Sequence, residues 1–115
     1  EKSLVDMYAK CGALVEAQEV FAKLPGQDTS TWNSLISGYS QYGHSERALN
    51  CFKRMQYNGV RPDGVTFVCI LNACGNIRAE AQGNALHTQI VNERWLEKDI
   101  MVGNALVDMY VKRTN

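Results

Sequence analysis

Three absences narrow the reading of this chain before any motif is considered. No stretch alternates apolar and polar residues long enough to read as a β-strand. No apolar run approaches the length that crosses a membrane. There is no surplus of charge, since 12 lysines and arginines balance 12 aspartates and glutamates. That balance argues against a strong non-specific nucleic-acid binder, which carries a basic excess. It leaves room for a weak local contribution from Lys10, Arg47, Lys53, Arg54 and Lys112.

Catalytic and metal-binding patterns are missing too. The four cysteines, Cys11, Cys51, Cys69 and Cys74, form no C-x-x-C pair, and His44 and His87 are badly placed to complete a zinc site. Cys51, Cys69 and Cys74 read as small buried apolar residues. His44-Ser45-Glu46 gives the first half of a zinc-deaminase signature, but its P-C-x-x-C half is absent. The glycines punctuate helices and form no phosphate loop. Asp6 and Asp108 occupy equivalent positions in distant parts of the chain and do not make a carboxylate pair. No catalytic residue, metal ligand or cofactor is expected, and the chain does not read as an enzyme.

What is present is a unit running from Asp28 to Asp63. Trp32, Leu35, Ile36 and Tyr39 fall at spacings of three and four, one face of a helix. After Gly43, Ala48, Leu49, Phe52 and Met55 do the same for a second helix. Gly59 is placed to end it and Pro62 forbids its continuation. The unit is a helical hairpin of 35 residues, a length that points to a repeat.

The rest of the chain supplies the copies. From Asp63, Phe67, Ile70, Leu71 and Cys74 take the same offsets, and from Asp99, Leu106, Val107 and Tyr110 follow, with Gly103 in the aromatic slot. Leu4, Val5 and Tyr8 form the apolar face of a copy already under way at residue 1. Among second helices, Ala17, Phe21 and Leu24 align with Ala48, Phe52 and Met55, then with Gly83, His87 and Ile90. Residues 3–10 (SLVDMYAK) and 105–112 (ALVDMYVK) are near-identical and lie 102 residues apart. The Asp28, Asp63 and Asp99 starts are spaced by 35 and 36 residues, which leaves 31 for the first unit. The first unit has lost about one turn, mostly from its second helix.

Helices are expected near 1–10, 15–24, 29–42, 45–57, 65–74, 79–94 and 101–112, with Asp28 (or Thr29-Ser30) and Ser45 as caps. The expected fold is all-α, a right-handed α-solenoid of helix-turn-helix repeats resembling a tetratricopeptide superhelix. Residues 1–28 read as a partial short repeat, 29–63 as a standard repeat, 64–99 as a long repeat and 100–115 as the first helix of a truncated short repeat. A chain that opens and closes inside repeats, with no targeting segment, is expected to be a piece of a longer product.

The segments L-V-D-M-Y-A-K-C-G, W-N-S-L-I-S-G-Y, A-L-x-x-F-x-x-M, G-V-x-P-D and G-N-A-L-V-D-M-Y together resemble the plant pentatricopeptide repeat (PPR) family, in its subgroup with alternating short, standard and long repeats. The likeness covers essentially the whole chain. The tetratricopeptide repeat is the nearest rival, but its W-x-x-L-G-x-x-Y pattern is absent and its period is a uniform 34.

The resemblance implies sequence-specific binding of single-stranded RNA, one base per repeat, in an RNA editing or processing factor of a mitochondrion or chloroplast. It also implies partners among other organellar RNA-processing proteins. The family's reading residues are a polar side chain just after the first-helix aromatic and the residue that closes the repeat. Carried onto this chain they are Asn33 with Asp63, a pair that the family associates with uracil, and Asn104, whose closing residue lies beyond the sequence. Lys2 with Asp28, and Val68 with Asp99, are weaker counterparts. Ser30 sits where the family has an apolar residue to sandwich the base. The alternative function is a helical-repeat scaffold that binds proteins and no RNA.

Overall fold

The computed structural model of the chain describes residues 2–114. Among them the ordered elements are all helical: α1 (Lys2–Lys10), α2 (Leu14–Lys23), α3 (Thr29–Gln41), α4 (Ser45–Tyr57), α5 (Gly64–Ile77), α6 (Glu80–Asn92), α7 (Trp95–Lys98) and α8 (Ile100–Thr114). Helices α1, α3, α5 and α8 pack successively against one another and form an inner wall. Helices α2, α4 and α6 form an outer layer, each wedged between its own inner helix and the next one. This is a short α-solenoid.

The sequence places most boundaries within a residue or two, and three expectations need correction. Helix α5 runs on to Ile77 instead of stopping near residue 74. The helix expected over 79–94 ends at Asn92, and Arg94, in the left-handed region with φ of 62°, starts the separate turn α7. Ser45 is not a cap: it is the first residue of α4 and is buried, with His44 at the cap position and no side-chain bond there. Asp28 does cap α3, accepting the Thr31 N–H at 2.9 Å.

The hairpin turns need a left-handed residue. Gly12 (φ 79°) and Gly43 (φ 83°) provide it in the first two, and Arg78 (φ 53°) in the third. Only glycine takes that conformation without a steric cost from Cβ.

Aromatic pairs bond each outer helix to the next inner one. Phe21 meets Trp32 edge-on with centroids 4.6 Å apart, and Phe52 meets Phe67 at 6.0 Å. Trp32 and Phe52 are only 2% and 6% exposed, as their repeated register requires. At the third junction both slots change, to His87 and Gly103. His87 Nδ1 instead lies 2.7 Å from the Tyr110 hydroxyl. The extra turn α7 brings Trp95 onto Phe67, at 5.5 Å, and Leu96 beside Gly103. Trp32 carries a penalty that Phe67 does not, because its Nε1 is buried with no hydrogen-bond partner.

The inner helices approach closely where side chains are small. A Cβ added at Gly38 would stand 2.9 Å from the Ala9 Cβ and 3.3 Å from its Cα. In the next junction the Ser40 hydroxyl donates to the Cys69 carbonyl at 3.3 Å. In the third, a Cβ at Gly75 would meet the Met109 Cα at 3.4 Å. Ala9, Ser40 and Gly75 hold the same repeat position. The cysteines fit this packing: Cys51 and Cys74 are buried, Cys69 is half-buried and Cys11 is exposed, all as free thiols. Burial pushes the Cys74 thiol up to about 11.

The near-identical segments 3–10 of α1 and 105–112 of α8 bury opposite faces. In α1, Val5 and Ala9 are buried while Leu4 and Met7 are exposed. In α8, Leu106 and Met109 are buried while the counterparts of Val5 and Ala9, Val107 and Val111, are exposed. The expectation that Leu4 and Val107 belong to the buried face is therefore corrected. Each helix has two apolar faces, and the neighbours it meets decide which is covered.

Two outcomes follow from this packing. Phe52→Ala should cost about 3 kcal/mol in urea unfolding, with a helical circular dichroism spectrum and no strand signal in the parent. Gly38→Ala should also destabilise. Replacing a mid-helix glycine gains roughly 1 kcal/mol of helix propensity, but overpacking typically costs 1–3 kcal/mol. The obstruction here is Ala9 on the neighbouring helix, including its backbone, so the loss should win.

Candidate nucleic-acid interface

The inner wall places the expected reading residues on its open side. Asn33 follows Trp32 by one residue, a rotation of about 100° around α3. Trp32 and Tyr39 therefore face the outer layer, while Ser30, Asn33, Ser34 and Ser37 face the other way. There they line a cavity of about 310 Å³ together with Asp6, Asp63 and Val65.

Asn33 and Asp63 are brought into contact. The Asn33 amide Nδ2 donates to Asp63 Oδ1 at 2.8 Å, across 30 residues of sequence. Asp63 is at the same time the N-cap of α5, accepting the Thr66 N–H at 3.2 Å, while its own N–H donates to the Thr66 hydroxyl at 3.1 Å. This reciprocal capping box fixes the first turn of α5. The Thr66 hydroxyl then donates to Asn33 Oδ1. Asn33 is thus held at both ends of its amide while only 8% exposed. An amide has two N–H donors and two acceptor lone pairs. These bonds use one of each and leave one of each.

The sequence identifies Asn33 and Asp63 but passes over Thr66. The signal was there: a Thr three residues after a capping Asp is the spacing of a capping box. The same spacing recurs at Asp28 and Thr31, whose hydroxyl donates to Asp28 at 2.8 Å. It fails at Asp99, which is followed three residues later by Val102 and instead accepts the Met101 N–H at 2.9 Å.

The other expected positions differ in chemistry. Lys2 is engaged by the Asp28 carboxylate. That ammonium, with the Thr31 donors, holds the Asp28 carboxyl well below the usual carboxylate range. Val68 is half-buried and lines a second cavity of about 300 Å³ between α3, α5 and α8, together with Asn72, Asp108 and Lys112. Its partner by position, Asp99, caps the start of α8. Asn104 is exposed on α8. Asp6 and Asp108 line different cavities and do not pair.

The basic residues are dispersed. Lys10 pairs with Asp6 at 2.9 Å, which lowers the Asp6 pKa, and Lys112 donates to Asn72 and Asn76 at 2.8 and 3.2 Å. On the outer layer Arg47 and Arg54 stack on Tyr39 and Trp32, at 5.0 and 5.8 Å from the ring centroids. Among the described residues no three His, Cys, Asp or Glu side chains gather where they could hold a metal ion. Among the described residues, no helix is long and apolar enough to cross a membrane.

Comparison with known proteins agrees with this architecture. The PPR repeat model matches residues 2–27, and the PPR repeat family model matches residues 27–76. A pentatricopeptide repeat-containing protein of Arabidopsis thaliana is 40% identical over 110 residues, covering 96% of this chain and 16% of that protein. A relative from the same plant named as chloroplastic is 44% identical over 111 residues, covering 95% of this chain and 21% of its own length. One named as mitochondrial is 39% identical over 110 residues, covering 96% of this chain and 11% of its own. The chain thus spans a minor part of the curated relatives it matches. With repeat models and relatives matching the same stacked helix pairs, the chain belongs to the pentatricopeptide repeat family of plant proteins.

Proposed function

We propose that the inner wall of this stack binds single-stranded RNA sequence-specifically and that Asn33 with Asp63 takes one base, uracil favoured. The observation that carries this is the held amide of Asn33, which keeps one donor and one acceptor uncommitted beside an open cavity of about 310 Å³. A pyrimidine edge offers the matching acceptor and donor. Exposed Val65 on α5 and Ser30 on α3 flank the cavity, so the base would stack on one apolar side chain and one small polar one. Helical-repeat proteins that read RNA one base per repeat use two or three side chains in this way.

In this reading the array divides into repeats at residues 28, 63 and 99. Asn104 is a second reading position whose partner would come from a following residue. Lys2 with Asp28 forms a slot already satisfied by its own ion pair, and in the slot of Val68 with Asp99 the first-helix side chain has no hydrogen-bonding group to offer a base. The chain would serve as an adaptor within an organellar RNA editing or processing factor, in a mitochondrion or chloroplast. Partners would be the RNA and other proteins of that machinery, with the chemistry supplied elsewhere. The zero net charge favours one rival, a protein-binding scaffold that ignores RNA. Retention of labelled single-stranded RNA against excess unrelated RNA separates the two.

With about two usable slots, and roughly 1–3 kcal/mol per stacked base, the isolated chain should bind weakly. The decisive measurement therefore uses a longer host array carrying this unit. Asn33→Thr should move the preference at one RNA position from pyrimidine toward guanine and leave the neighbouring positions unchanged. An unchanged preference, or uniform weakening at all positions, would make Asn33 a surface residue or a general backbone contact.

A further inference from the structure

We infer that Thr66 is a third, specificity-setting member of the reading element, supplied by the following repeat. The inference rests on the assignment of Asn33 and Asp63 as a base-reading pair. It concerns a residue that touches neither cavity wall nor base: Thr66 is fully buried and acts through Asn33. Its hydroxyl receives the Asp63 N–H at 3.1 Å and has a single hydrogen to give. That hydrogen has two acceptors within reach, Asn33 Oδ1 and Asp63 Oδ1, and the contact to Asn33 is the shorter.

The consequence concerns the orientation of the amide. Asp63 accepts from Nδ2, and Thr66 donates to Oδ1. Rotating the amide by half a turn would set Oδ1 against the Asp63 carboxylate, replacing a hydrogen bond by repulsion, and would turn the Thr66 hydrogen away from Asn33 to Asp63 Oδ1. The donor and acceptor left for a base therefore keep fixed places. Without the hydroxyl, Oδ1 loses its buried partner, and an unsatisfied acceptor at that depth is costly. The amide would then swing toward solvent to regain a hydrogen bond. A moving amide offers its donor and acceptor at variable positions, so discrimination between bases falls before affinity does.

The other junctions act as internal controls. Thr31 likewise follows its cap Asp28 by three residues and donates its hydroxyl to that carboxylate, but the reading position there is Lys2, which bonds the carboxylate directly. At Asp99 the third-position residue is Val102 and the reading position is Val68, an apolar pair in place of a polar one. The hydroxyl and the amide occur together at Asp63, and both positions are valine at Asp99.

The test has two parts. In this chain, urea unfolding of Asn33→Ala, Thr66→Val and the double variant reports their coupling without any RNA. The double variant's effect on the folding constant should fall short of the product of the single effects by about fivefold, within the range for hydrogen-bonded neighbours. In a longer array hosting the unit, Thr66→Val should reduce uracil-over-cytosine preference at the Asn33 position about threefold to tenfold, with helicity retained. Thr66→Ser, which keeps the hydroxyl, should restore it.

Independent single effects in the unfolding cycle would overturn the inference. So would a preference that Thr66→Val leaves intact while Asn33→Thr shifts it, a result that would reduce Thr66 to a helix cap and leave the base-reading pair standing. If neither substitution alters the preference although the two residues are coupled, the reading assignment itself fails, and the inference fails with it.

Discussion

One carboxylate oxygen ties this structure together. Asp63 Oδ1 accepts from the first turn of α5 and from the Asn33 amide on α3. A helix N-terminus leaves backbone N–H groups unpaired, and an Asp at the cap satisfies one of them while favouring the positive end of the helix dipole. The same group that starts one inner helix therefore reaches back to hold a side chain on the previous one. Starting α5 and orienting Asn33 are not separable tasks, and the spacing between successive inner helices is set where the candidate reading pair lies.

The remaining packing preserves that spacing. Small residues at one repeated position, Ala9, Ser40 and Gly75, let the inner helices approach to backbone distance. Aromatic pairs between layers, Phe21 with Trp32 and Phe52 with Phe67, fix the tilt of each hairpin on the next. The third junction shows how the chain absorbs a change in those slots. With His87 and Gly103 present, the connection after α6 folds a helical turn and brings Trp95 onto Phe67. That connection thus has a packing role. Rigid stacking matters for a wall meant to present side chains at a regular step, since a change in spacing between repeats would misplace every later contact.

Helix positions were legible because the apolar spacing of three and four is dictated by helical geometry and recurs in every unit. Trp32, Phe52, Ile70 and Leu71 are buried where that spacing puts them. The ends were less legible: α7 and the extension of α5 depend on what the connecting residues touch, and Arg78 and Arg94 occupy left-handed positions that give no glycine signal. Asn33 and Asp63 stood out through the resemblance to a family whose reading positions they occupy. Thr66 stayed hidden because its significance depends on a contact 33 residues away.

The sequence by itself determined the class of fold, the repeat length, the order of inner and outer helices and the residue types at each repeated slot. These follow from local geometry, because spacing, caps and turn residues act within a few positions of one another. Only the tertiary structure decided which apolar face each helix buries and which polar residues meet. Helices α1 and α8 show why: Val5 is buried and Val107 exposed, although the segments that carry them, 3–10 and 105–112, are near-identical. Burial belongs to a surface and its neighbour together, and no helix carries its neighbour's position in its own sequence.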